Sequence, residues 1–169
     1  MKRAIFFLSF LLFLSPCVAQ DKCALENAPA LFNLKLGMSP QDVQSVIGQG
    51  VKIKIKQSGQ RTFFENFIDK PAPNSLAGVR AIYLRFLDGR LYQIEIFYEE
   101  RNSWQTLENF LADFSAKNGF PISAWKIEYS IAEINCGDFS IVADKILNPH
   151  LQLTDEISRA KVEESRQSN

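Results

Sequence analysis

Between residues 34 and 153 the apolar positions change period several times, and each change marks an element. Leu34-Lys35-Leu36 alternates as a short strand does, and Gly37-Met38 turns the chain. Ser39 then serves as an N-cap, Pro40 suits the first helical position, and Asp42 completes a capping box. Val43, Val46 and Ile47 share one helical face, and Gly48 ends the helix. Val51-Lys52-Ile53-Lys54-Ile55-Lys56 alternates strictly between apolar and basic, the mark of a half-buried strand. Gln57-Ser58-Gly59-Gln60 turns the chain back into Arg61 to Ile68, which carries Phe63, Phe64 and Phe67. Residues 69–78 hold Pro71, Pro73, Asn74 and Gly78 and predict a loop of about ten residues, longer than most connections.

A hairpin follows. Ile82, Leu84 and Phe86 share one face of its first strand, and Tyr92, Ile94 and Ile96 one face of its second. Joining these apolar faces requires even positions to pair with even ones, because a one-residue slip turns every side chain to the opposite face. A three-residue loop with Gly89 in the left-handed region achieves this. Asn102-Ser103 then predicts the cap of a second helix whose apolar stripe is Trp104, Leu107, Phe110, Leu111 and Phe114, stopped by Gly119 and Pro121. Trp125, Ile127, Tyr129 and Ile131 alternate as one strand; Phe139, Ile141 and Ala143 give another, and Leu151 to Leu153 a short last one. From Thr154, a possible cap, the chain is polar with few apolar anchors (Ile157, Val162), and reads as a partly helical or disordered tail.

The order helix, four strands, helix, three strands, tail predicts an α+β fold. Its antiparallel sheet has about six to seven strands in hairpins, packed on one face by two amphipathic helices. The expected organisation is a leader over 1–19, one domain over 20–153, and a tail over 154–169.

The leader changes the picture of where the chain works. Lys2 and Arg3 precede an apolar run from Ala4 to Leu14, then Pro16 and the small-residue site Cys17-Val18-Ala19. This is the pattern of a secretory signal peptide cut after Ala19. The run is shorter than the roughly 20 apolar residues a membrane-spanning helix needs. Lipidation at Cys17 is disfavoured by Pro16, where a small residue is required. The expected location is periplasmic or extracellular. Removing the leader takes away two basic residues, leaving 17 against 19 acidic ones. So balanced a chain lacks the basic footprint of a nucleic-acid binder. Cys23 and Cys136 then remain, and an even pair in an exported protein most simply forms a disulfide.

Leu34-Lys35-Leu36-Gly37-Met38-Ser39-Pro40-Gln41-Asp42-Val43, ending at Ile47-Gly48, resembles the L-x-L-G-M-[ST]-x-x-x-V-x-x-x-[IL]-G segment of BamE-like (SmpA/OmlA) envelope proteins, which beta-lactamase inhibitor proteins also approximate. The resemblance spans residues 34–48. It implies a helix packed on an antiparallel sheet, in a domain that works by binding another protein. BamE-like proteins are lipoproteins, and the sequence before Cys17 departs from that.

A search for catalytic chemistry leaves no candidate catalytic, cofactor-binding or metal residues. The chain has no G-x-S-x-G elbow, H-E-x-x-H, phosphate loop or zinc cysteine pairing. Its one histidine, His150, follows Asn148-Pro149 and reads as a solvated turn residue. The candidate partner-binding residues are Lys52, Lys54 and Lys56, whose ammonium groups would line one strand face at intervals of roughly 6–7 Å. Arg61 would extend that stripe. Tyr83 and Phe97 lie opposite the main apolar faces of their strands, and would leave aromatic surface on a helix-free sheet face. The expected function is a non-enzymatic binding module of the cell envelope or extracellular space. It would act through a sheet face and the 69–78 loop on a protein, an envelope component or an anionic lipid, with no cofactor. The alternatives are a carrier of a small ligand or lipid in an aromatic-lined cavity, and an envelope hydrolase using dispersed carboxylates.

Overall fold

The computed structural model describes residues 23–48, 63–66 (backbone only), 76, 78–99, 104–146 and 148–168. The leader, the 51–56 strand and most of the 69–78 loop lie outside the described residues. So do Lys52, Lys54, Lys56 and Arg61.

The helix at Pro40–Ile47 (α1) forms as its local chemistry demands. The Ser39 side chain accepts from the Asp42 amide, and the Asp42 carboxylate accepts from the Ser39 amide. The Ser39 hydrogen bonds hold the Asp42 carboxyl below its ordinary range. Val43 and Ile47 point into the core.

Among the described residues seven antiparallel strands form one sheet: β1 (Phe63–Asn66), β2 (Val79–Leu87), β3 (Arg90–Tyr98), β4 (Lys126–Glu128), β5 (Ile131–Asn135), β6 (Phe139–Asp144) and β7 (His150–Asp155), in spatial order β1-β2-β3-β7-β6-β5-β4. Together with three α-helices they make the α+β fold expected. Register assigns the faces. One row runs Ile82, Ile96, Leu151, Ala143 and Ala132, and a second runs Leu84, Ile94, Leu153, Ile141 and Ile134. Both rows are buried and form one cluster with Val43 and Ile47 of α1 and with Phe110, Leu111 and Phe114 of α2 (Leu107–Asn118). Two helices therefore cover this face.

The β2–β3 hairpin keeps the even-with-even pairing but achieves it differently. Its loop has two residues, Asp88 and Gly89, both at positive φ (49° and 73°), as a primed hairpin turn requires. The phase is restored by a bulge, since Arg85 faces Gln93 while Phe86 faces Leu91, leaving Tyr92 as the extra residue. On its other side, Leu91 turns its backbone groups to the N-terminal segment. Its carbonyl accepts from the Gly37 amide at 2.7 Å, and its amide donates to the Met38 carbonyl at 2.9 Å.

Two further expectations are corrected, and of the two readings of the tail the helical one holds, with a different cap. The strand expected from Trp125 to Ile131 is a hairpin, with β4 and β5 joined at Tyr129-Ser130. Apolar alternation is blind to such a turn because the pattern continues through it. The second helix starts at Leu107, with the Thr106 side chain accepting from the Asn109 amide, so Trp104 precedes it. The tail is a helix, α3 (Glu156–Gln167), capped by Asp155, whose side chain accepts from the Ser158 amide; Thr154 belongs to β7 and is fully buried. α3 packs against β6 and β7. Its buried Val162 lies outside the main core cluster, and the residues buried with it in register, Gln93, Thr154 and Ser140, all face away from that core. α3 therefore covers part of the second sheet face, which sequence periodicity leaves helix-free. The Ser140 hydroxyl donates to Glu156 and ties the two together.

Candidate functional site: an aromatic groove

Cys23 and Cys136 are disulfide-bonded, joining the N-terminal segment to the end of β5. The tethered segment then makes a tight reversal at Leu31–Leu34. Leu31 and Leu34 exchange both backbone hydrogen bonds at 2.9 Å, and Phe32 and Asn33 sit between them at φ 52° and 64°. Left-handed geometry is tolerated by asparagine but is uncommon for a bulky phenylalanine, and costs of order 1 kcal/mol or more. Buried Leu31 and Leu34 anchor the turn, which presents Phe32 as one wall of a groove.

Across from Phe32 stand the end of β3 and the exposed side of α2. The groove has a volume of about 340 Å³. Its floor and walls carry Phe32, Tyr98, Trp104, Phe110 and Phe114. Tyr98 meets Trp104 and Phe110 edge-on, at 5.1 and 5.4 Å between ring centroids, while Phe32 stands 6.2 Å from Tyr98. Polar groups enter at α2. Asp113 accepts from the Trp104 indole N–H at 3.2 Å and from the Lys117 ammonium at 2.8 Å, so both signs of charge occupy the rim. Burial pushes the Tyr98 hydroxyl well above the ordinary tyrosine range, and the nearby Asp113 charge adds to this. It stays protonated, a donor throughout the physiological range.

Sequence periodicity finds Trp104, Phe110 and Phe114 but assigns all three to a helix stripe facing the core. Trp104 leaves that stripe because the helix begins after it. The signal that pointed elsewhere was Asp113 and Lys117, a polar pair one turn apart on a helix otherwise rich in aromatics.

The second sheet face holds a different cluster. Phe97, on β3, meets Tyr83 edge-on at 5.4 Å and stacks on His150 at 4.4 Å, with the ring planes 23° apart. Tyr83 and Phe97 do share this face, as expected, but they are half-buried and wall in the histidine. His150 is the first residue of β7 rather than a solvated turn residue, with its side chain only 13% exposed. Its Nδ1 lies 2.8 Å from Asp144 on β6, and its Nε2 lies 3.5 Å from Glu95 on β3. Burial draws its pKa down, but the nearby Glu95 and Asp144 carboxylates, the second of them hydrogen-bonded to Nδ1, outweigh this and raise it above 6.5. A raised folded-state pKa stabilises most below the unfolded value, and the contribution is lost as pH rises through the folded value. With one histidine in the chain, the melting temperature is expected to fall between pH 6 and 8. The slope is bounded by one proton, about 1.4 kcal/mol per pH unit. Thermal denaturation of wild type and His150→Gln checks this, and a variant retaining the wild-type slope would refute it.

Among the described residues no group of three or more His, Cys, Asp or Glu is placed to hold a metal ion, and no helix is long and apolar enough to cross a membrane. No family model, curated protein or solved structure matches the chain.

Proposed function

We propose that this is an exported binding protein that holds a small amphipathic molecule in the groove between α2 and the Leu31–Leu34 turn. One observation carries the reading: a groove of about 340 Å³ lined by five aromatic side chains, with Asp113, Lys117 and Asn118 of α2 among its other residues. Ligand sites are typically concave and apolar, roughly 300–1,000 Å³, with a few polar groups that fix orientation. The aromatic rings suit a flat or branched apolar body. The paired charges at the rim suit a polar head, without demanding a net charge of either sign. Export is supported by the Cys23–Cys136 bond, since disulfides persist in oxidising compartments, and by the charge, apolar and small-residue order of residues 1–19. Reading the chain as a docking module on the lysine face rests on residues 52–61, whereas the groove reading rests on described side chains.

The test is titration of the oxidised protein with the hydrophobic dye 1-anilinonaphthalene-8-sulfonate. The expected result is saturable binding at one site, weakened about tenfold by Trp104→Ala, which is about 1.4 kcal/mol. Trp125, buried and donating to Ser115 at 2.8 Å, reports whether the variant remains folded. Absent or non-saturable dye binding, together with no co-purifying small molecule in native mass spectrometry, would remove the reading.

A further inference from the structure

Among the described residues, one edge of the sheet ends in β4, three residues long, reading Lys126-Ile127-Glu128. In the β4–β5 hairpin Glu128 faces Ile131 across a two-residue turn, and Lys126 faces Glu133. The pair closing such a turn is hydrogen-bonded, and bonded pairs alternate along an antiparallel ladder. Ile127, between them, therefore directs its N–H and C=O to the open edge.

Large apolar side chains crowd this edge. Ile127, Ile131 and Ile122 are about half exposed, and Tyr129 is fully exposed. These are four of the six large apolar residues exposed among the described ones. Tyr129 also occupies φ 57°, at the first loop position, where hairpins ordinarily place glycine or asparagine. A tyrosine kept in unfavourable backbone geometry, with its whole ring in water, stabilises nothing within its own chain.

The charges at the edge choose the occupant. We propose that β4 pairs with β4 of a second copy of this chain, antiparallel about a two-fold axis through Ile127. This arrangement goes beyond the groove and is independent of it. On the axis, the two Ile127 residues exchange both backbone hydrogen bonds and their side chains meet. One position to either side, Lys126 lies opposite Glu128 of the second copy, and Glu128 opposite its Lys126. Within one chain these two groups already attract at 2.8 Å, so the strand is its own electrostatic complement. A shifted register sets like charges against each other, which is unfavourable for directly opposed pairs. The two Tyr129 rings extend past the ends of β4 and cover the flanks of the pair. A two-fold contact uses the β4 edge of both copies at once, so this contact closes on itself and does not propagate.

Sedimentation velocity of the oxidised protein, from about 1 μM to about 1 mM, tests the arrangement. A reversible monomer–dimer equilibrium is expected. Glu128→Lys places lysine opposite lysine twice and should weaken the dimer at least tenfold. The charge exchange Lys126→Glu with Glu128→Lys restores the complement and should return the dissociation constant to within about threefold of wild type. Tyr129→Gly should weaken association while leaving the melting temperature equal or higher, since glycine accepts positive φ freely. That separates a lost interface from a lost fold. A monomer throughout the concentration range would overturn the proposal. So would a Glu128→Lys variant that dimerises as well as wild type, or an exchange variant no better than Glu128→Lys alone.

Discussion

Replacing Cys23 and Cys136 together by serine is expected to lower stability by about 4–5 kcal/mol. The bond closes a loop spanning a sequence separation of 113. Chain-entropy arguments assign the largest effect to such long closures, because the open chain regains the most freedom. For a domain of this size the loss is roughly 10–18 °C in melting temperature. The effect reaches the groove as well. The bond holds the segment whose Leu31–Leu34 turn presents Phe32, while buried Leu31 and Leu34 anchor that turn from the other side. The serine variant should therefore fold near 20 °C but bind the dye more weakly than wild type. Urea denaturation of both forms checks the first statement, and dye titration checks the second. A variant as stable as wild type would mean that the apolar anchors alone hold the segment.

Phe110→Ala is expected to cost about 3–5 kcal/mol. The ring is 1% exposed and belongs to the main core cluster. It lies 5.4 Å from Tyr98 and 4.8 Å from Trp104, so one substitution removes two aromatic contacts. The surroundings are poorly able to collapse into the space. Tyr98 is held in the β2–β3 ladder, and Trp104 is fixed through its indole hydrogen bond to Asp113. The vacated volume opens into the groove, so loss of stability should accompany admission of a bulkier dye. Paired denaturation and binding curves distinguish this from simple collapse, in which stability falls and the groove narrows.

Local chemistry explains what could be read early. The capping box at Ser39 and Asp42 and the glycine that ends α1 involve residues a few positions apart, so their interactions are encoded in the string itself. Face assignment in the β2–β3 hairpin was legible for a related reason: an apolar face must stay together, and only even-with-even pairing keeps it so. The bulge that delivers this pairing was not legible. It leaves Tyr92 over beside Leu91, whose backbone also bonds to Gly37 and Met38, more than fifty positions earlier in the chain.

The groove and the histidine cluster were less visible still. Trp104 reads as a helix residue until Thr106 takes the cap, and the strand containing Tyr98 gives no sign that α2 will meet it. His150 acquires its character only when β3 and β6 flank β7 and set Glu95 and Asp144 beside it. α3 was legible only as a partly helical or disordered tail because its apolar content is small, and a single buried valine suffices once polar groups on the sheet supply the remaining contacts.

By itself, then, the sequence determined the α+β class, the cysteine pair and the apolar faces, since these follow from periodicity, parity and composition along one dimension. Only the tertiary structure decided the strand order, the second helix-covered face, the groove and the self-complementary edge. Each of these is a meeting of segments distant in the chain, and its energy belongs to the pair rather than to either segment alone.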